Sequence, residues 1–162
     1  MYLKKIHLEN IGPIDECSFD LLFDDNCNPK PTIIVGENGT GKSILLSFIV
    51  NAILSAKQLF YENTEVDKGK VYKYRSAGYI KSQSEYYFAK LIFDNDIEYI
   101  EWQLSKTKEE FEKYLVYIPN NRDWEKIPKS DDSVFWTNFT NKRNLLNELI
   151  DENCLLYFPA NR

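Results

Sequence analysis

The run Gly36-Glu37-Asn38-Gly39-Thr40-Gly41-Lys42-Ser43 has the spacing Gly-x-x-x-x-Gly-Lys-Ser and stands between two apolar stretches, Thr32-Ile33-Ile34-Val35 and Ile44-Leu45-Leu46-Ser47-Phe48-Ile49-Val50. Four constrained positions match by accident about once in 200 chains of this length at ordinary residue frequencies. The order of apolar run, glycine loop and apolar run predicts a buried strand, a tight turn and a helix. Without a Cβ, Gly36, Gly39 and Gly41 are free to adopt positive φ, so the loop can aim successive backbone N–H groups at a polyphosphate. The bound anion would then lie at the positive end of the helix dipole. Lys42 supplies a cation for the outer phosphates, and the Ser43 hydroxyl is the candidate Mg²⁺ ligand. The plain alternative is a glycine-rich strand-to-helix turn that binds nothing.

The surrounding pattern predicts an α/β fold: a P-loop lobe with a mixed sheet, a long helix after the loop and an antiparallel β-subdomain at about residues 70–105. With 162 residues and 19.1 kDa, the chain can form one domain with a core of its own, 1–162. Period-2 alternation puts Ile6 and Leu8 on one face of a first strand, 2–9, and Lys5, His7 and Glu9 on the other. Asn10-Ile11-Gly12-Pro13 ends it. Residues 18–23 read as a second strand and 32–35 as a third, fully buried one. A helix is predicted from Lys42 to about Tyr61. Residues 86–93 and 97–104 flank Asp94-Asn95-Asp96 as a hairpin, and their aromatics suit cross-strand packing better than base stacking. Residues 71–80 offer a further strand. Glu109 and Lys113 are spaced i, i+4 within a helical stretch, 106–114. Residues 119–132 read as loop, 138–151 as helix and 154–158 as a buried strand.

Other chemistries find little support. The net charge of −5 and pI near 5.0 argue against a surface wholly devoted to nucleic acid, so DNA contact has no support from charge. Cys17, Cys27 and Cys154 share no metal-ligand spacing and read as free thiols. The N-terminus lacks a signal-type apolar stretch, and no apolar run approaches the roughly 20 residues of a membrane span, so a cytoplasmic location is expected. His7, the only histidine, lies on a strand face. Asn141-Lys142-Arg143-Asn144 lacks the carboxylate that guanine recognition would ask for, which favours ATP over GTP. An acidic strand end to hold Mg²⁺ and orient water is hard to find. Asp94 falls in a hairpin turn, where it should bond the backbone, and Asp151-Glu152 end a helical pattern.

Lys5-Ile6-His7-Leu8-Glu9-Asn10-Ile11-Gly12-Pro13-Ile14, followed by the loop at 36–43, resembles the N-terminus of the ABC-type ATPases of the AAA class that include the SMC, RecF and OLD groups. Cys154-Leu155-Leu156-Tyr157-Phe158-Pro159-Ala160-Asn161-Arg162 is similar to the strand that leads to the Q-loop position in OLD-like and related phage-defence ATPases. The resemblance implies that Gly36, Glu37, Asn38, Gly39, Thr40, Gly41, Lys42, Ser43 and Ile44 contact ATP and Mg²⁺, with Asn10, Ile11 and Gly12 close to the nucleotide. It also implies an N-terminal lobe of a longer ATPase, because a signature loop, an acidic Walker B strand and a switch histidine are not in the sequence. Partners would be a C-terminal lobe or second ATPase head, and a nuclease or other effector. The catalytic base is unassigned. Two rivals stay open, a small self-contained P-loop kinase and a non-hydrolysing interaction module.

Overall fold

A computed structural model describes residues 2–61, 79–115, 135–139 and 144. Its frame is one five-stranded sheet, antiparallel throughout, in the order β2-β1-β3-β4-β5. The strands are β1 (Leu3–Ile11), β2 (Ile14–Asp20), β3 (Tyr86–Phe93), β4 (Glu98–Leu104) and β5 (Phe135–Phe139). Helix α1 (Lys42–Gln58) packs on one face and α2 (Lys108–Leu115) approaches the other.

Alternation along the strands creates two cores. Ile6, Leu8, Ala89, Leu91 and Tyr99 point toward α1, which answers with Leu45, Phe48, Ala52, Ile53 and Ala56. Burying each large side chain of this set contributes about 1.5–3 kcal/mol. On the opposite face Tyr86, Phe88, Ile100, Trp102 and Leu104 close around Phe111 of α2. Phe88 and Trp102 are direct cross-strand partners, with ring centroids 4.3 Å apart. His7 keeps to this face, as its strand position predicts, with Nε2 2.7 Å from Glu9 Oε1 and its ring 5.8 Å from Phe88. Tyr86 Oη donates to the other oxygen of Glu9 at 3.1 Å, so this buried carboxylate is held from two sides.

Local signals hold well where the chain turns. The β1–β2 hairpin has the two-residue loop Gly12-Pro13, and Gly12 has φ +52, the left-handed value such turns demand. Asp94–Asp96 is a single 3-10 turn with Asn95 and Asp96 at positive φ. Asp94 serves that turn and the chain start: Oδ1 accepts from Tyr2 N at 3.0 Å, and Asp94 N donates to Tyr2 O at 2.9 Å. Thr107 caps α2 reciprocally, its N–H bonding Glu110 Oε2 at 3.2 Å and its Oγ1 accepting from Glu110 N at 3.5 Å. The Lys113–Glu109 pair forms at 3.5 Å, fully on the surface.

Five expectations are corrected. The described sheet is antiparallel, not mixed. The hairpin of β3 and β4 is not set apart from the rest, because β3 pairs directly with β1. Residues 32–35 are no strand: Ile33 and Val35 are 84% and 85% exposed. Both edges of β1 are taken by β2 and β3, so residues 32–35 do not pair with it. The second strand also starts earlier than 18–23, at Ile14. Asn138 and Phe139, expected to open a helix, instead end β5, where Phe139 packs on Tyr99 at 5.1 Å. Asn144 is helical. The expected strand at 71–80 is described only at its end, where Ile80 bridges to Ile11. The loop at 119–132, most of the 138–151 helix, the 154–158 strand and Cys154 lie outside the described residues.

Candidate phosphate-binding site

The loop 36–43 runs from the exposed segment 31–35 directly into α1, which begins at Lys42. Gly41 occupies the N-cap position with φ +97, and no side chain caps the helix. The first turn of α1 carries no acidic residue. The amides at this helix head therefore lack a built-in side-chain acceptor, which is the arrangement an external anion can use. Gly39 has φ +87. Gly36 does not share the left-handed conformation expected of all three glycines. It is needed for space, because a Cβ there would stand 2.9 Å from Thr40 Oγ1.

Side chains of the loop fold inward. Lys42 Nζ donates to the carbonyls of Gly36 and Glu37, each at 2.6 Å, which places the ammonium across the loop's own turn. Thr40 Oγ1 donates to Glu37 O at 2.9 Å, and Thr40 N reaches the same carbonyl at 3.4 Å. Ser43 is exposed in the first turn, whereas Ile44 is half-buried and turns toward the sheet.

Tertiary folding brings the Asn10-Ile11-Gly12 segment to this loop from more than twenty residues earlier in the chain. A Cβ on Gly41 would meet Ile14 Cδ1 at 2.8 Å, Ile14 Cγ1 at 2.9 Å and Pro13 Cγ at 3.3 Å. A Cβ on Gly12 would meet Ile44 Cδ1 at 2.9 Å. Each glycine thus receives an isoleucine from the other segment. Asn10 has φ +55 and Gly12 φ +52, while the side chain of Ile11 is fully buried in the core. Sequence reasoning missed Pro13 and Ile14, because nothing local announces a contact with a residue 27 positions on.

The turn is clasped from its other side by 79–81. Gly12 N donates to Tyr79 O at 2.7 Å, Lys81 N donates to Asn10 O at 2.8 Å, and Lys81 Nζ pairs with Asp15 Oδ1. Asp94, by contrast, opposes the start of β1, about 25 Å of strand from this turn. Among the described residues no group of three or more His, Cys, Asp or Glu could hold a metal ion.

Beneath α1 lies a second polar feature that sequence reasoning missed. Glu101 is fully buried, and its carboxylate accepts from Tyr87 Oη at 2.7 Å, Tyr99 Oη at 2.8 Å and Asn51 Nδ2 at 3.1 Å. Asn51 belongs to α1 and the tyrosines to β3 and β4, so one carboxylate ties the helix that carries Lys42 to two strands.

In the polar turn after β2 the carboxyl of Asp24 is held below its ordinary value by the backbone N–H and side chain of Asn28. Its bonds at 2.8 and 3.1 Å close the polar turn after β2 and leave it no role at the loop.

A family model described as an AAA domain matches residues 5–157, a span that includes the loop, both helices and all of the sheet but the first two residues of β1. No curated protein is similar enough to count as a match.

Proposed function

The chain belongs to the AAA domain family and is an AAA-type, nucleotide-binding ATPase domain, and from that premise we propose that 36–43 cradles the phosphates of Mg²⁺-ATP. The observation that carries this reading is the uncapped head of α1: open amides, no acid in the first turn, and Lys42 Nζ gathered onto the loop. Lys42 would turn from the Gly36 and Glu37 carbonyls to the phosphates as a point charge. Ser43 fits a magnesium ion as one oxygen ligand, which suits a cation that is held mainly by substrate phosphates and water. Magnesium would neutralise charge on the phosphates, and Ser43 would orient it.

The loop supplies the binding part of the cycle: among the described residues Asp94 lies at the far end of β1, and the first turn of α1 carries no carboxylate to orient water. In the SMC-, RecF- or OLD-like arrangement that the N-terminal strand and loop resemble, a second ATPase head or a C-terminal lobe completes the site, and ATP drives their association. A nuclease or other effector would then use that cycle, and phage defence is one such setting.

Thermal denaturation with Mg²⁺-ATP tests the reading. Ligand at about one hundred times Kd stabilises by about 2.7 kcal/mol, which raises Tm by roughly 5–10 °C for a domain of this size. Lys42→Ala should remove that shift while leaving the unliganded Tm nearly unchanged, since Lys42 contacts only loop carbonyls. No shift at millimolar ATP, or an equal shift in the variant, would overturn it. Steady-state hydrolysis by this chain is expected to be negligible, and a rate lost in Lys42→Ala would show that the chain carries its own catalytic group.

A further inference from the structure

We infer that the β1–β2 turn is the strut that sets the shape of the phosphate loop, with Ile14 as a positioning residue that acts through Gly41 and does not touch the ligand; the inference rests on the nucleotide reading of the loop. Gly41 is the residue at which the loop becomes helix, and its backbone must hold φ +97 for the following amides to converge. Ile14 Cδ1 and Cγ1 and Pro13 Cγ fill the space where its Cβ would stand. In return Ile44 Cδ1, in the first turn of α1, fills the place of a Cβ on Gly12. This double exchange locks the turn and the helix head at one separation, because neither side can approach further or accept a larger residue.

The strut needs a fixed base, and the structure supplies it. The turn is bounded by the Ile11–Ile14 pair of the hairpin, and its outer edge is pinned by Gly12 N to Tyr79 O and Lys81 N to Asn10 O. Ile80 bridges to Ile11, whose side chain is buried in the core. Within the loop Lys42 and Thr40 tie back to the Gly36 and Glu37 carbonyls, but residues 31–40 are all exposed and the segment that leads into them forms no strand. Among the described residues, the loop's seat on the rest of the fold is where Gly41 meets Ile14.

Ile14→Ala removes the contacting atoms, and Ile14→Leu keeps a methyl group within reach. Affinities for Mg²⁺-ATP, Mg²⁺-ADP and inorganic tripolyphosphate, together with amide hydrogen exchange across 36–43, distinguish a strut from a ligand contact. Ile14→Ala should weaken all three ligands alike, by about tenfold, as small misplacements of a binding loop do. It should also speed exchange in 36–43 in the absence of any ligand, without speeding exchange in the second half of α1. Ile14→Leu should recover most of both. A loss for ATP and ADP that spares tripolyphosphate would make the turn a base or ribose contact and overturn the inference. Unchanged affinity and unchanged exchange in Ile14→Ala would overturn it as well. If the wild-type chain bound none of the three ligands, the nucleotide reading would fall, and the exchange comparison would still decide whether the turn shapes the loop.

Discussion

Gly41→Ala is expected to abolish measurable nucleotide binding, a loss of about a hundredfold or more, while Gly39→Ala is expected to cost only about tenfold. Both residues have positive φ, so each alanine carries conformational strain on the order of 1–2 kcal/mol. Their surroundings separate them. A Cβ at position 39 meets nothing within 4 Å, and the strain is the whole cost. At position 41 it would press on Ile14 Cδ1 at 2.8 Å, Ile14 Cγ1 at 2.9 Å and Pro13 Cγ at 3.3 Å. Relief would require the turn to retreat, but the turn is pinned behind by its bonds to Tyr79 and Lys81. The loop must give way instead, and the amides at the head of α1 lose their convergence. Titration of both variants with Mg²⁺-ATP checks the ranking, and equal affinities would show that close packing at Gly41 has no part in shaping the site.

The second large effect concerns stability. Glu101→Ala should destabilise the domain by about 2–4 kcal/mol, lowering Tm by roughly 10 °C. Truncation leaves two tyrosine hydroxyls and the Asn51 amide without the acceptor they share, each in a fully buried setting. An orphaned buried donor costs about 1–3 kcal/mol, and the cavity adds to that. The removed carboxylate no longer has to be desolvated, which offsets part of the total. Glu101→Gln preserves the volume and one acceptor oxygen, so it should fall between wild type and alanine. Tyr87→Phe and Tyr99→Phe each delete one donor to a carboxylate and should cost about 1–3 kcal/mol apiece. Denaturant unfolding of the four variants tests the order, and a neutral Glu101→Ala would mean that the helix is held by its apolar face alone.

The elements that were legible in the sequence are those whose cause is local. The spacing of Gly36, Gly41, Lys42 and Ser43 marks the loop, and α1 starts where that spacing says it should. Gly12-Pro13 and Asp94–Asp96 mark turns because few other residues tolerate their backbone angles. Alternating aromatics mark β3 and β4, whereas Phe-Trp-Thr-Asn-Phe of β5 is too short a run to announce a strand by itself. Residues 32–35 depart from their pattern: a continuous apolar run states that burial would be favourable, but burial needs a partner strand, β1 is already paired on both sides, and Ile33 and Val35 stay exposed.

The sequence by itself determined the residue types and spacing of the glycine loop, the start of the helix that follows it and the two faces of β1, β3 and β4, since these depend on residue type and on spacings within a few positions. The tertiary structure alone decided the antiparallel order of the sheet, the seating of Gly41 against Ile14, the clasp at Tyr79 and Lys81, and the burial of Glu101 beneath Asn51. The seating, the clasp and the carboxylate contact join residues from 27 to 71 positions apart, and their energies come from packing and from shared hydrogen bonds that exist only once the chain has closed. No local pattern encodes such a pairing, because the same glycine or glutamate would read identically with any other partner.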